Sequence, residues 1–179
     1  MTMHQDLLLN KITDIVGSTD EAYEAKLVSM CDDAKRIFIT GAGRSKLVGN
    51  FLGMRLMHSG YETYVQGEIS TPSIREGDLL IVISGSGETT QLVSFTNKAK
   101  SEGAKVVLIC SKSSSTIGDL ADQTIQIGTD DSFAATKGMP MGTMFELSTL
   151  IFLESIVSHL IHEKGIPEEE MKYRHANME

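Results

Sequence analysis

Residues 79–84, Leu-Leu-Ile-Val-Ile-Ser, run without a break into Gly85-Ser86-Gly87-Glu88-Thr89. A short apolar run with no polar alternation, ended by a glycine turn, is what a strand buried on both faces requires. Two other stretches read the same way: 36–40 (RIFIT), which ends in Gly41-Ala42-Gly43-Arg44-Ser45, and 105–110 (KVVLIC). Shorter strands fit 62–65 and 124–127. Between them the pattern turns helical, over 45–58 stopped by Gly60 and over 88–101 stopped by Gly103. Two helices lead in, about 5–16 and 20–34, the second with Leu27, Cys31 and Ala34 on one face. A long apolar stretch, about 139–161, reads as the last helix, with Pro140 in its first turn.

Strands that are apolar throughout and alternate with helices imply a parallel sheet covered on both sides. Right-handed crossovers then give a doubly wound α/β fold, here with five strands and helices on both faces. In such sheets ligands bind beyond the carboxyl ends of the strands, and both glycine-rich loops lie at that edge. No repeat, long linker or low-complexity segment interrupts the chain, and 111–115 reads as a loop. The expectation is one domain over 1–179, with a core over about 26–165.

The charged and hydrophobic fractions, 22% and 41%, are those of a folded globular protein. The start is not patterned as a signal peptide. The apolar stretch near the end is broken by Glu146, Ser148, Thr149, Glu154, Ser155, Ser158 and His159, so it reads as a buried helix rather than a membrane span. Cys31 and Cys110 form no CxxC pattern, which points to buried free thiols in a reduced cytoplasm and gives no support to a metal site. A net charge of −8 without a basic stripe argues against nucleic acid as a partner. It leaves room for a small anion held by local amides and one or two cations.

Residues 84–89 carry the strongest chemical signal. A phosphate needs converging donors where no side chain blocks the backbone. Gly85 and Gly87 open that space, and Ser84, Ser86 and Thr89 add hydroxyls beside the start of a helix. The plain structural alternative is a strand-to-helix turn in which Ser and Thr cap the helix. The first loop lacks a dinucleotide fingerprint, because Lys46 stands where a third glycine belongs, and it lacks a P-loop ending. It reads as the second wall of the same site, with Ser45 and Arg44 as donors.

Gly41-Ala42-Gly43-Arg44-Ser45, Arg55-Leu56-Met57-His58, the 84–89 loop, Pro140-Met141-Gly142-Thr143 with Phe145-Glu146, and the ending Arg174-His175-Ala176-Asn177-Met178-Glu179 together resemble the sugar isomerase (SIS) domain family. The resemblance is closest to its 6-phospho-3-hexuloisomerase branch. The 84–89 loop is shared by many sugar-phosphate members, whereas the segment around Pro140 and the ending select the branch. The resemblance implies a flavodoxin-like fold and a homotetramer with active sites at subunit boundaries, the N-terminal helix and C-terminal tail taking part in those contacts. It implies interconversion of D-arabino-hex-3-ulose 6-phosphate and fructose 6-phosphate, in the cytoplasm, without metal or organic cofactor. A hexulose-6-phosphate synthase would be the functional partner, in formaldehyde assimilation by the ribulose monophosphate pathway or in pentose supply. The chain departs from the branch at Met139 and Leu147, where glutamines are expected, and over 132–137.

Moving a carbonyl between C3 and C2 requires one proton to leave carbon and another to return, which a single carboxylate in a low-water site can do. By resemblance that base is Glu146, in the second turn of the last helix; the alternative is a carboxylate in a structural ion pair. His58 closes the helix after the first loop, as a proton shuttle, a hydroxyl ligand of a neighbouring subunit's site, or simply a packed histidine. Ser84, Gly85, Ser86, Gly87, Glu88 and Thr89, with Arg44 and Ser45, are the expected substrate-binding residues. Arg55 reads as an ion-pair residue, and His175 as a tail residue near a subunit boundary. Met54, Met57, Met141 and Met144 read as adaptable packing in core or interface. Two rival functions remain at this stage: a non-catalytic sugar-phosphate sensor domain, and an isomerase of heptulose or pentose phosphates.

Overall fold

The side chains of successive residues in the apolar strands leave the sheet on opposite faces, and both sets need cover. The structure, a computed structural model, describes residues 2–133 and 139–178 and supplies that cover. Part of the 132–137 segment and the final Glu179 lie outside the described residues. In chain order the elements are α1 (Met3–Gly17), α2 (Ala22–Asp33), β1 (Ile37–Gly41), α3 (Arg44–His58), β2 (Thr63–Val65) and β3 (Leu79–Ile83). They continue with α4 (Thr90–Ser101), β4 (Lys105–Cys110), α5 (Thr116–Leu120), β5 (Gln123–Gln126), α6 (Thr143–Lys164) and α7 (Glu168–Arg174).

All strand pairings are parallel and the order is β2-β1-β3-β4-β5. Ile37, Ile39, Leu79, Ile81, Ile83, Val107 and Ile109 face a core shared with α1, α2, α3 and α6. The alternate residues Phe38, Leu80, Val82, Val106, Leu108 and Cys110 face a second core with Leu92 and Ala99 of α4 and Ile117 of α5. The doubly wound reading of the sequence is thus the architecture seen. At the amino edge, Asp78 is 2% exposed and accepts from Arg36 Nε and Nη2 and from the Arg75 amide. That ties the entry to β3 onto the entry to β1.

The start of α6, α5 and α7 depart from the sequence expectation. Pro140 precedes the last long helix instead of sitting in its first turn. Thr143 N–H donates to Pro140 C=O and Gly142 takes φ +87°, so helical backbone begins at Thr143. Residues after 115 form α5, because the Ser115 hydroxyl accepts from the Gly118 amide and caps a single turn. The tail contains α7, with Glu168, Glu169 and Glu170 in its first turn and Lys172 and Arg174 in its last. That is the charge order a helix dipole favours.

α6 has 22 residues and a mean hydropathy of 1.5, enough by length and composition to span a membrane. It is a core helix: Phe145, Ser148, Phe152, Leu153, Ile156, Val157 and Leu160 are buried, and it packs on α1, α2 and α3. α1 docks on it through the buried Ile15.

Cys31 and Cys110 are both buried free thiols. Burial, with the Asp32 carboxylate adjacent, pushes Cys31 up to about 12, and burial likewise raises Cys110. At pH 8 a thiol with a pKa of about 12 is thiolate in roughly one molecule in ten thousand. The folded protein is expected to leave both thiols unreacted over an hour with an aromatic disulfide reagent at pH 8, and to release two equivalents of chromophore in denaturant. Stoichiometric reaction of the folded protein would contradict this burial.

Candidate functional site

β1 and β3 are neighbours, yet the chain leaves β1 toward β2 on one side and returns to β3 on the other. The crevice beyond their carboxyl ends is therefore the topological switch point, where doubly wound sheets bind ligands. Both glycine-rich loops emerge there. A Cβ on Gly41 would meet the Lys46 amide nitrogen at 2.9 Å, so only glycine lets the first turn of α3 fold back over the end of β1. That close turn aims the start of α3, with Arg44 exposed and Ser45 half-buried, across the crevice.

The second loop is not a helix cap. α4 starts at Thr90, two residues later than the sequence suggests, and the Thr89 side chain makes no capping hydrogen bond to it. The Ser84 hydroxyl accepts from the Gly87 amide (3.2 Å), and the Ser86 hydroxyl accepts from the Glu88 amide (3.2 Å). A hydroxyl that accepts from the backbone still has its own hydrogen to donate. Thr89 Oγ1 lies 3.5 Å from Ser84 Oγ, so these two hydroxyls meet across the loop. Ser84 is buried at the strand end, while Ser86 is exposed at the crest.

The N-terminus of α6 closes the third side. The Phe145 ring lies over Gly85, 3.2 Å from where a Cβ would stand, and Phe133 packs edge-on against that ring with centroids 6.0 Å apart. Glu146 stands in the first turn of α6, not the second, because the helix begins after Gly142. Its carboxylate accepts from Arg44 Nε, and its side chain is 12% exposed. Two expected site residues from positions 102 residues apart are thereby joined, beside the hydroxyl loop.

Glu88 occupies a different position from the one expected of a ligand contact. Its carboxylate accepts from the Thr116 amide (2.8 Å) and the Thr116 hydroxyl (2.7 Å), away from the crest of the loop. Those bonds hold its carboxyl below the usual carboxylate value.

His58 and His175 form a second cluster. α3 carries His58 about 21 Å from Arg44 at 1.5 Å per residue, to the opposite edge of the sheet. There His58 is 3% exposed and its ring stacks on His175, centroids 5.0 Å apart. Arg174 Nη1 donates to the His58 carbonyl at 3.1 Å, so α7 clamps the end of α3. Within one chain neither histidine meets Glu146. Arg55 Nε lies 3.6 Å from Glu154 Oε2, a half-exposed ion pair between α3 and α6.

Sequence reasoning missed the residues that brace the second loop from the far side. Ser111 N–H and Oγ–H both donate to Gly85 C=O, at 3.0 and 2.7 Å. Ile117 N–H donates to Gly87 C=O at 3.1 Å. The Asp130 carboxylate accepts from the Ser113 amide and hydroxyl at 3.0 and 2.6 Å. A run of serines after a buried strand was the available signal, and nothing local names its partner.

This arrangement supplies hydroxyl donors for a phosphate, a carboxylate for proton transfer and a guanidinium beside it. The model of the SIS domain matches residues 30–151. A 3-hexulose-6-phosphate isomerase of Methylomonas aminofaciens is 49% identical over 181 residues, covering 100% of both chains. One from Bacillus subtilis (strain 168) is 36% identical over 176 residues, covering 96% of this chain and 95% of its own. A Methanococcus jannaschii protein, whose crystal structure is described as inferring a molecular function of 3-hexulose-6-phosphate isomerase, superposes with a TM-score of 0.88 at 34% identity. That superposition covers 99% of this chain and 100% of the other. A match over two glycine loops, the sheet between them and the start of α6 leaves one assignment: this chain belongs to the SIS domain family.

Proposed function

We propose that this protein interconverts D-arabino-hex-3-ulose 6-phosphate and D-fructose 6-phosphate through an enediolate. The single observation that carries the reading is the Arg44–Glu146 pair held at the switch point, next to Phe145, which packs on Gly85 of the hydroxyl loop. Full-length similarity to 3-hexulose-6-phosphate isomerases supports the choice of substrate.

The hydroxyl loop holds the phosphate and so fixes C6, which brings C2 and C3 to the Glu146 carboxylate. From the 3-ketose, Glu146 removes the C2 proton and the electron pair forms the C2=C3 bond of the enediolate, with negative charge on O3. Arg44 moves from the carboxylate toward that oxygen and stabilises the charge. Glu146, now protonated, returns the proton to C3, while the O2 proton passes to O3 and leaves a carbonyl at C2. The phosphate on O6 prevents the 3-ketose from closing a five-membered ring, so only fructose 6-phosphate needs to open.

His58 and His175 enter the reaction, on this reading, from a neighbouring subunit, as hydroxyl ligands or in the transfer between O2 and O3. Leu47, Phe51 and Met54 support an assembly: they are 60%, 56% and 53% exposed and recur at helical spacing on one face of α3. An exposed apolar stripe of this kind marks a contact surface, and a tetramer of this one-domain chain, its α1 and tail also at contacts, would cover it. The exposed Met54 and Met57 then serve as interface packing, while Met144 is core. Phe51→Glu is expected to lower the mass in solution to that of a smaller species and to cut activity by roughly tenfold or more. An unchanged mass by light scattering would remove the stripe from the interface.

On the same reading the protein works as a soluble enzyme of the cytoplasm, with a hexulose-6-phosphate synthase as its functional partner in the ribulose monophosphate pathway. The direct test is incubation with fructose 6-phosphate and resolution of the product. Formation of the 3-ketose supports the reading, and glucose 6-phosphate as the product would move the protein to another isomerase class.

A further inference from the structure

Glu88 poses an electrostatic problem. It is an anion in the middle of a loop that, on the reading above, receives a phosphate dianion. A carboxylate free to swing over the crest at Ser86 would oppose the ligand. The structure instead turns it sideways onto the chain that follows β4. Both carboxylate oxygens are used, one by the Thr116 amide at 2.8 Å and one by the Thr116 hydroxyl at 2.7 Å.

The same stretch grips the loop backbone at two further points. The Gly85 carbonyl receives both donors of Ser111, and the Gly87 carbonyl receives the Ile117 amide. Gly87 itself sits at φ +67°, where a Cβ would stand 2.2 Å from Ser115 Oγ, so no space separates loop and brace. Among the described residues the Ser86 amide has no protein acceptor, and it lies at the crest between the two gripped carbonyls.

We infer that Glu88 is a positioning residue, a latch onto Thr116 that keeps the phosphate loop in its receiving shape and its own charge away from the ligand. This rests on the assignment of 84–89 as the phosphate loop. Glu88 touches neither the sugar nor the reacting carbons. Its loss therefore weakens capture of the phosphate group far more than it slows the step at C2 and C3. Thr116, which lies 28 residues along the chain, acts through the same two bonds.

The test is a double-mutant cycle with Glu88→Ala and Thr116→Val, read by steady-state kinetics on fructose 6-phosphate and by phosphorus NMR titration with inorganic phosphate. Circular dichroism melts of each variant confirm folding. Glu88→Ala is expected to raise KM and the phosphate Kd by roughly tenfold while kcat falls less than about threefold. Thr116→Val is expected to raise both in the same direction, and the double variant to be no worse than Glu88→Ala alone. Glu88→Gln, which keeps one acceptor, should recover part of the affinity. Additive effects of the two substitutions, or a loss confined to kcat, would overturn the latch. Unchanged affinity in a folded Glu88→Ala would do so too, while leaving the phosphate loop itself intact. Failure of the unaltered protein to bind inorganic phosphate would instead overturn the loop assignment, and the latch with it.

Discussion

Glu146→Gln is expected to lower kcat by about a thousandfold, within the range found when a positioned acid–base group is removed. KM should move only a few-fold, because the hydroxyl loop that holds the phosphate is untouched. The fold should survive. Glu146 is covered but Arg44 is 62% exposed, so the pair is of the kind that contributes about 1 kcal/mol or less. A glutamine of the same shape still accepts from Arg44 Nε. The combination separates the two readings the sequence left open. A merely structural ion pair predicts a small change in melting temperature and a small change in rate. A catalytic base predicts the first without the second. Rate and melting curve measured on one preparation decide between them.

Gly87→Val should be the most damaging single change outside the base. The residue sits at φ +67°, where a β-branched side chain costs on the order of 1–3 kcal/mol in backbone strain. A Cβ there would also stand 2.2 Å from Ser115 Oγ, which forces the loop and α5 apart. Expected together are a stability loss of about 2–4 kcal/mol and a rise in KM of at least about thirtyfold. Gly17→Ala makes the control. It lies at the end of α1 with nothing within 4 Å of an added Cβ, and should stay within about 0.5 kcal/mol by urea titration. Equal behaviour of the two variants would show that the close contact between Gly87 and Ser115 carries no weight.

The parallel sheet was legible because its strands are buried on both sides: 79–83 and 105–110 carry almost no polar residue, and only such strands look that way. The two glycine loops were legible for a related reason, since a strand that stops at glycine must turn at the carboxyl edge. What stayed hidden depended on partners far along the chain. Glu88 reads locally as one more ligand residue, and its orientation is set by Thr116. The start of α6 was placed early because Pro140 is acceptable in a first turn, but Gly142 in left-handed backbone resets the helix and moves Glu146 to its first turn. α5 is one turn long, too short for a periodic signal. α7 carries its signal in charge order, Glu168 to Glu170 before Lys172 and Arg174, rather than in an apolar stripe.

His58 illustrates the limit of a motif read along one chain. Its sequence neighbours tie it to the first loop, and α3 then carries it to the far edge of the sheet, against His175 and under Arg174. Helix length alone separates it from Glu146 of the same chain, so a shared role needs the assembly that the exposed face of α3 suggests.

Whether Glu146 forms an enediolate can be read from hydrogen exchange at carbon. The protein would be incubated with fructose 6-phosphate in D2O and the sugars followed by proton NMR. An enediolate at Glu146 puts deuterium at C2 of the 3-ketose and at C3 of the recovered fructose 6-phosphate, and Glu146→Gln abolishes both. Deuterium at C1, or exchange undiminished in Glu146→Gln, would contradict it.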